Sequence, residues 1–278
     1  MDTDSTPTAG QPRDIGGETP TLRVFSLLEL IAAKDEFVTL QGLAVESGLP
    51  KPTLHRMLRQ LEDAGLLVRQ VDGRHYGTGA RLRELAEDIL LNAAQYGATH
   101  GVLRHLAEST GESCNLTALS GDEVIYLDRV ETTAPLRFTL AVGSRAPVHA
   151  SASGKVLLAQ MTPTQRRKLL SHSPLPALTP ATLTDPDDLE RSLEAARTQG
   201  WAIDDEEFLP GLVCIAVPIP SDRGRSNRCL AIQAPAMRLP AAEAPKLVEP
   251  LMAAAASIAT IESEGSTDTD TRETQEVS

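Results

Sequence analysis

Cysteine is scarce in this 278-residue chain, and the spacing of the cysteines excludes two kinds of stabilisation. The three cysteines, Cys114, Cys214 and Cys229, are far apart and form no Cys-X-X-Cys pair. A disulfide framework is typical of short secreted chains with an even number of cysteines, and a structural zinc site needs clustered cysteine or histidine ligands. The sequence therefore predicts neither a disulfide-stabilised domain nor a structural zinc domain.

Apolar runs of membrane-spanning length are also missing. A transmembrane helix needs about 20 consecutive, mostly apolar residues, and no segment of the chain reaches that length. The N-terminal residues 1–14 lack the basic start and the apolar core of a secretory signal peptide. We therefore expect a cytoplasmic protein that has no membrane partner.

Motifs of catalysis are absent as well. Residues 151–155 (SASGK) superficially resemble a nucleophile turn, yet they match neither G-x-S-x-G nor the phosphate loop G-x-x-x-x-G-K-[ST]. His149 could serve a neighbouring serine as a base, but the sequence places no third group beside it. His100 and His105 lie on different faces of a predicted helix, which disfavours a metal pair. We therefore expect no catalytic residues, no metal and no cofactor.

The chain does have the length and the apolar content for two domains, with 41% hydrophobic residues. Its charge is distributed unevenly. The net charge is -12, whereas residues 51–83 carry seven Lys or Arg and three Asp or Glu, a local net charge of +4. A basic segment in an acidic protein is typical of a nucleic-acid-binding module, because neutralised phosphates release counterions. The alternative is a small helical subdomain with a solvated basic face.

Residues 39–76 have the order of a winged helix-turn-helix. Thr39 is a good N-cap for a first helix, Gly48 supplies the turn, and Pro52 suits the start of a second helix. The second helix has a buried stripe at spacing i, i+3, i+4 and i+7, formed by Leu54, Met57, Leu58 and Leu61. An Asp72-Gly73 turn between two short strands then predicts a hairpin. This order predicts a helix that enters the major groove of DNA.

The face opposite the buried stripe carries side chains that can donate to phosphates and base edges. A rotation of about 100° per residue places Arg56 and Arg59 near the centre of this face. Arg74 and His75 lie at or just after the hairpin tip. The predicted DNA-binding residues are Thr39, Lys51, Pro52, Thr53, His55, Arg56, Arg59, Gln60, Arg74 and His75.

Composition and periodicity set the domain boundaries. Residues 1–19 are rich in Thr, Pro, Gly and Asp, and residues 263–278 have almost nothing to bury, so we expect two disordered tails. Residues 20–78 form the predicted winged helix-turn-helix domain. Its supporting helix has an apolar face at helical spacing, formed by Val24, Leu27, Leu28 and Ile31.

Residues 79–97 predict a linker helix with an apolar stripe of its own. The stripe consists of Leu82, Leu85, Ala86, Ile89 and Ala93. One interpretation is that the stripe packs on its own DNA-binding domain. We favour a dimer contact through Leu82, Leu85 and Ile89. A dimer has two DNA-binding domains, which sets the spacing of the two DNA half-sites and raises the affinity for DNA.

Residues 98–262 mix helical and strand signals. The predicted helices lie at residues 99–110, 151–161, 163–171, 186–199 and 240–263. The predicted strands lie at residues 114–120, 123–130, 136–142, 201–204, 212–219 and 228–235. An antiparallel sheet flanked by helices is an α+β fold, and its concave face suits a small molecule.

Three segments together resemble the IclR family of bacterial transcriptional regulators. They are residues 43–67 (LAVESGLPKPTLHRMLRQLEDAGLL), 143–159 (GSRAPVHASASGKVLLA) and 201–219 (WAIDDEEFLPGLVCIAVPI). The resemblance covers residues 20–262 in the order of the family. It implies an N-terminal winged helix-turn-helix, a linker helix and a C-terminal GAF-like effector-binding domain. It also implies a homodimer or a dimer of dimers on double-stranded operator DNA.

The resemblance further implies a site for a small organic acid. The implied ligand-binding positions are Phe138, Ala152, Ser153, Asp204, Cys214, Ala231 and Gln233. In small-acid-binding members, backbone amides at the positions of Ala152 and Ser153 contact the ligand carboxylate, which agrees with the affinity of helix N-termini for anions. Two serines of that pocket are replaced here by Ala231 and Gln233, which favours a larger or partly aromatic acid over a tiny keto acid.

Other interpretations of these positions stay open. Cys214 lies in an apolar strand, where a lone cysteine is often part of the core. Residues 204–207 (DDEE) could be a solvated acidic run, and Arg129, Arg137 and Arg145 could lie on the surface. Pro52 stands where the family often has a serine, so one phosphate contact is expected to be missing.

The sequence thus predicts a ligand-responsive DNA-binding transcriptional regulator that is not an enzyme. One alternative is an enzyme that processes a small molecule with a GAF-like domain, and turnover of candidate acids would reveal it. The other is a DNA-binding protein without an effector, whose operator affinity no ligand would change.

Overall fold

The computed structural model describes residues 15, 17, 19–34, 36–94, 97–170, 175–221 and 224–272, and for residues 90–94 and 264–272 it describes only the backbone. The chain divides into two compact units, Met1–Ile89 and Leu90–Ser278. None of the helices in the described part of the chain combines the length and the apolar character of a membrane span.

The N-terminal unit combines helices with a small antiparallel sheet. Its elements are α1 (Pro20–Ala32), β1 (Val38–Thr39), α2 (Leu40–Ser47), α3 (Lys51–Asp63), β2 (Leu67–Arg69) and β3 (His75–Thr78), and α4 (Ala80–Ala94) follows. The strand order is β1-β3-β2. This is the predicted winged helix-turn-helix: α2 and α3 form the helix pair, and β2 with β3 forms the wing.

Local chemistry explains the ends of these helices. The Thr39 hydroxyl accepts from the Gly42 amide at 3.1 Å and caps α2. Gly48 ends α2 at φ 66, a left-handed conformation that glycine adopts without strain. Pro52 lies in the first turn of α3, where its missing N–H leaves no bond unmade. The predicted stripe of α3 is confirmed, because Leu54, Met57, Leu58 and Leu61 are its buried residues.

The N-terminal core reaches into the segment predicted to be a disordered tail. Ile15 is fully buried and belongs to the same apolar cluster as Leu27 and Leu54. Its amide donates to the Ser47 carbonyl at 3.1 Å. The prediction of a disordered tail over residues 1–19 is therefore wrong at Ile15, because its large aliphatic side chain is part of the core. Residues 1–14, 16 and 18 lie outside the described part.

The C-terminal unit is a six-stranded antiparallel sheet between two layers of helices. Its helices are α5 (Ala98–Thr110), α6 (Ala152–Ala159), α7 (Pro163–Leu170), α8 (Pro186–Gln199) and α9 (Val248–Arg272). Its strands are β4 (Ser113–Ser120), β5 (Glu123–Val130), β6 (Arg145–Pro147), β7 (Ala202–Asp205), β8 (Leu212–Pro218) and β9 (Arg228–Pro235). The strand order is β6-β5-β4-β9-β8-β7. α5 and α9 pack on one face of the sheet, and α6 packs on the other beside α8.

The strand predicted at residues 136–142 is wrong, and the sheet edge is β6 instead. Side chains take the place of a neighbouring strand in this segment. The Arg129 guanidinium donates to the carbonyls of Phe138 and Leu140, and the Gln233 amide also donates to Phe138. Because its carbonyls are satisfied in this way, the segment needs no ladder of backbone bonds.

The closing helix was predicted over residues 240–263 and differs at both ends. A 3₁₀ turn occupies Ala244–Leu247, and α9 begins only at Val248. Pro245 and Pro250 explain the late start, because proline cannot donate inside a continuous helix. α9 then continues to Arg272, so residues 263–272, predicted to belong to a disordered tail, are helical. Residues 273–278 lie outside the described part.

Candidate functional site

The exposed face of α3 carries most of the predicted DNA-binding side chains. Arg56 and Arg59 lie opposite the buried stripe and are exposed. Neither forms an ion pair with a carboxylate of the described residues. The neighbouring predicted positions are Lys51, Pro52, His55 and Gln60, which are exposed, and Thr53, which is half-buried. This face therefore presents cationic and hydrogen-bonding groups that a phosphate or a base edge could meet.

The wing is ordered at its tip by one carboxylate. Asp72 Oδ1 accepts from the Arg74 amide at 2.8 Å, and Asp72 Oδ2 lies 2.5 Å from His75 Nδ1. The hydrogen bond from the Arg74 amide lowers the pKa of Asp72, so this acid stays ionised and paired. Gly73 has φ 68, which only glycine adopts freely in the turn. The tip therefore holds Arg74 in an exposed position while its acidic charge is engaged.

Thr39 has a structural role besides its predicted contact with DNA. It pairs with His75 in the register between β1 and β3, and its hydroxyl oxygen caps α2. The same hydroxyl hydrogen is free to donate to a phosphate. The position thus lies at the end of the wing sheet and at the start of the helix pair.

The predicted dimerisation stripe on α4 is exposed. Leu85 is 49% and Ile89 58% exposed, and Leu82 is half-buried. Clustered aliphatic side chains in water are unusual on a stable monomer, because burial of apolar area is favourable. Leu85 and Ile89 are thus the exposed part of the stripe.

Strand register brings the predicted effector positions of the sheet onto one face. Asp204 of β7 lies opposite Cys214 of β8, and Cys214 lies opposite Gln233 of β9. One row along, Ala231 lies opposite Asn115 of β4. Cys214 and Ala231 belong to the cluster that packs under α6, so this face is the one covered by α6. Asn115 was missed because nothing in the sequence fixes which strand neighbours β4.

The start of α6 faces the same region. The Ser151 hydroxyl caps the helix by accepting from the Gly154 amide at 3.2 Å. Ser153 accepts from the Thr117 hydroxyl at 2.9 Å, which docks the first turn on the sheet. The amides of Ala152 and Ser153 then have no acceptor in their own helix, since the first N–H groups of a helix lack partners. These buried amides suit a carboxylate.

Asp204 is the most unusual group of this face. It is only 1% exposed, and its Oδ1 accepts from the amides of Glu207 and Phe208 at 2.7 and 3.2 Å. Among the described residues, Oδ2 has no hydrogen-bond partner. Burial raises the pKa of Asp204 to about 7. The alternative of a solvated acidic run is therefore wrong for Asp204 and for Glu207, which is also buried, whereas Asp205 is exposed.

Lys155 pairs with Glu207 beneath α6. Lys155 is 2% exposed, donates from Nζ to the Ile203 carbonyl at 2.8 Å and forms an ion pair with Glu207. Burial raises the pKa of Glu207, and Lys155 acts against that rise. Neither residue of this pair was a predicted site residue. A lysine inside the apolar run ASGKVLLA was the available signal, because a buried lysine requires a partner.

Polar side chains of the sheet hold the segment that contains Phe138, one of the implied ligand-binding positions. Gln233 donates to the Phe138 carbonyl at 3.1 Å and accepts from Asn115 at 3.0 Å. Arg129 donates to the same carbonyl and to that of Leu140 at 2.9 Å. The surface interpretation of Arg129 is thus wrong, because its side chain is nearly buried, whereas Arg137 and Arg145 are exposed. Phe138 itself is half-buried.

His149 and Ser151, which lie just before α6, are both hydrogen-bonded to backbone carbonyls. His149 Nε2 lies 3.2 Å from the Pro176 carbonyl, and burial lowers the pKa of this histidine. The Ser151 hydroxyl donates to the Pro147 carbonyl at 2.9 Å. No serine of the described residues is hydrogen-bonded to His149, and no group of three or more His, Cys, Asp or Glu among them could hold a metal ion.

Both units match one protein family. Residues 21–71 match the IclR helix-turn-helix domain, and residues 93–260 match the bacterial transcriptional regulator IclR C-terminal domain. These two stretches contain α3, the start of the wing and the whole face under α6.

Similar proteins include regulators of known name. The "Probable transcriptional regulator SauR" of Cupriavidus necator is 41% identical over 78% of this chain and 86% of its own length. The transcriptional repressor IclR of Escherichia coli is 36% identical over 78% of this chain and 80% of its own. A solved IclR homologue from Microbacterium hydrocarbonoxydans, complexed with 4-hydroxybenzoate, is 31% identical with a TM-score of 0.54, covering 87% of this chain and 98% of its own.

Proposed function

The chain belongs to the IclR family of bacterial transcriptional regulators. We propose that it binds operator DNA through α3 and the wing, and that it binds a small organic acid as its effector on the sheet face covered by α6. The main support for DNA binding is the exposed cationic face of α3, which lies opposite the buried apolar stripe of the same helix. The 4-hydroxybenzoate in the structure of a homologue supports an aromatic acid as one class of effector. In this proposal residues 20–78 form the DNA-binding domain and residues 98–262 form the effector-binding domain. Residues 79–97 form the helix that links them.

In this proposal the protein is a cytoplasmic homodimer or dimer of dimers without catalytic activity. The exposed stripe on α4 supports self-association, since a second copy would cover it. The engagement of His149 with Pro176 rather than with a serine supports sensing instead of hydrolysis.

Removal of either central arginine of α3 is expected to weaken operator binding. Arg56→Ala and Arg59→Ala should each cost about 1 to 3 kcal/mol, and loss of a base contact should also relax specificity. Fluorescence anisotropy with labelled operator at matched salt measures both effects. Arg104→Ala, which removes an exposed arginine of α5, is the matched control and should bind operator normally. Normal binding by both α3 variants would show that α3 is not the reading helix.

A charge in the α4 stripe is expected to weaken self-association. Leu85→Asp should place an unpaired carboxylate in an apolar seam, at a cost of several kcal/mol. Sedimentation velocity over a dilution series measures the dissociation. Met237→Asp is the control, because Met237 is an 82% exposed apolar residue outside the stripe. An unchanged oligomer in Leu85→Asp would remove α4 from the interface.

A further inference from the structure

Asp204 has one oxygen that is occupied and one that is available. Oδ1 accepts from the amides of Glu207 and Phe208, which fixes the carboxyl group in one orientation. Oδ2 is buried and has no hydrogen-bond partner among the described residues. Asp204 lies opposite Cys214 on the face under α6, so the available oxygen belongs to the proposed effector site. A buried polar atom without a partner indicates that a missing group completes it.

The cations near Asp204 are committed to other groups. Lys155 of α6 pairs with Glu207 and donates to the Ile203 carbonyl at 2.8 Å. Arg129 of β5 donates to the carbonyls of Phe138 and Leu140. Its Nε has no hydrogen-bond partner among the described residues, but it lies 3.4 Å from the Glu131 carboxylate, which balances its charge. An ionised Asp204 would therefore be a buried anion without a cation of its own, beside the Glu207 carboxylate.

Two further titratable groups near Asp204, and His149 near Lys155, are neutral near pH 7. Burial raises the pKa of the Tyr126 phenol on β5 and of the Cys214 thiol on β8. Burial lowers the pKa of His149, which precedes α6. None of these groups can balance a second negative charge in the site.

An organic acid bound at the start of α6 brings such a charge. Resting on the proposed sensing function, we propose that Asp204 meets the effector as a neutral carboxylic acid, with Oδ2–H donating to an effector oxygen. The effector binds as a carboxylate anion. If Asp204 is ionised beforehand, it takes up one proton from solvent as the complex forms. Effector binding is thereby coupled to the uptake of one proton. Two adjacent carboxylates that share a buried site behave in this way, because both cannot stay ionised.

Burial supports the coupling near neutral pH, because it already raises the pKa of Asp204 to about 7 before any ligand is present. Below this pKa the neutral form is ready for the ligand. Above it, each pH unit makes the neutral form tenfold rarer, so the apparent Kd should rise by about tenfold per unit.

The test compares the full-length wild type with Asp204→Asn between about pH 6.5 and pH 8.5, across the expected change. Asparagine is isosteric, keeps Oδ1 for the two amides and places an N–H donor where Oδ2 stands. The probes are pyruvate, succinate, benzoate and 4-hydroxybenzoate, measured by isothermal titration calorimetry. The wild type should bind one of them with a Kd that rises with pH. Asp204→Asn should bind the same acid with a Kd that pH does not change.

Calorimetry in two buffers of different ionisation enthalpy counts the protons directly, and this readout needs no variant. The wild type should take up close to one proton well above the pKa of Asp204. Asp205→Asn, which changes the adjacent exposed carboxylate, should behave as the wild type.

Three results would overturn the inference. A wild-type Kd independent of pH, or no proton uptake, would show that Asp204 is not protonated on binding. Loss of binding in folded Asp204→Asn would show that Oδ2 accepts rather than donates. If none of the four acids binds, both the proposed sensing function and this inference are overturned. The first two results would overturn only the inference and leave acid sensing intact.

Discussion

Gly154→Ala is expected to destabilise the C-terminal unit strongly. A Cβ at position 154 would lie 2.2 Å from the Val148 carbonyl oxygen and 2.4 Å from the Val148 Cα. These are backbone atoms, so no side-chain rotation relieves the clash. All of α6 is buried against the sheet and α8, so the helix cannot shift without opening the core. We expect a loss of at least about 3 kcal/mol in the free energy of unfolding.

Urea denaturation followed by the fluorescence of Trp201, the single tryptophan, measures this loss within the C-terminal unit. Gly101→Ala is the matched control. Gly101 also lies inside a helix of this unit, and a Cβ there meets nothing within 4 Å. Because alanine favours a helix over glycine by up to about 1 kcal/mol, the control should be unchanged or more stable. A wild-type unfolding midpoint for Gly154→Ala would refute the close approach of α6 to Val148.

Lys155→Met is expected to destabilise the protein by about 3 to 5 kcal/mol, the usual result when one partner of a buried ion pair is removed. The Glu207 carboxylate would remain buried without a cation, and the Ile203 carbonyl would lose its donor. Lys155 lowers the pKa of Glu207 and burial raises it, so loss of Lys155 should raise this pKa further. The loss of stability relative to the wild type should therefore grow as pH rises and Glu207 ionises, because ionisation of a group with a raised folded-state pKa opposes folding. Urea denaturation at several pH values measures this dependence.

A double-variant cycle separates the pair from its two residues. Lys155→Met combined with Glu207→Leu removes both charges and should be more stable than Lys155→Met alone. Lys246→Met is the control, since Lys246 forms an exposed ion pair with Glu243, three residues away on the same segment. Exposed pairs contribute roughly 0 to 1 kcal/mol, so the control should barely change. Equal losses in Lys155→Met and Lys246→Met would contradict a buried pair.

The strand predicted at residues 136–142 shows where sequence patterns mislead. The segment LRFTLAV has strong strand propensity, yet strand propensity mostly reflects how a side chain fits a half-buried sheet surface. Here the donors come from Arg129 and Gln233, which lie on other strands. Their positions depend on the register of the whole sheet, which no local window contains.

The sequence by itself determined what short-range physics controls. The Thr39 cap, the Gly48 turn and the spacing of Leu54 to Leu61 act within a few residues of one another. These features therefore predict the helix pair, and the exposed position of Arg56 and Arg59 follows from helical geometry alone. The match of separated motifs to one family then indicated the sensing unit.

Only the tertiary structure decided which groups share the site under α6. Lys155 forms an ion pair with Glu207, and Asn115 donates a hydrogen bond to Gln233, although the partners are far apart in the sequence. The sheet order β6-β5-β4-β9-β8-β7 makes these contacts, because it places late strands beside early ones. Burial then leaves Oδ2 of Asp204 without a partner among the described residues and raises the pKa of the group. Burial and register are properties of the assembled core, so the residue types alone could not reveal them.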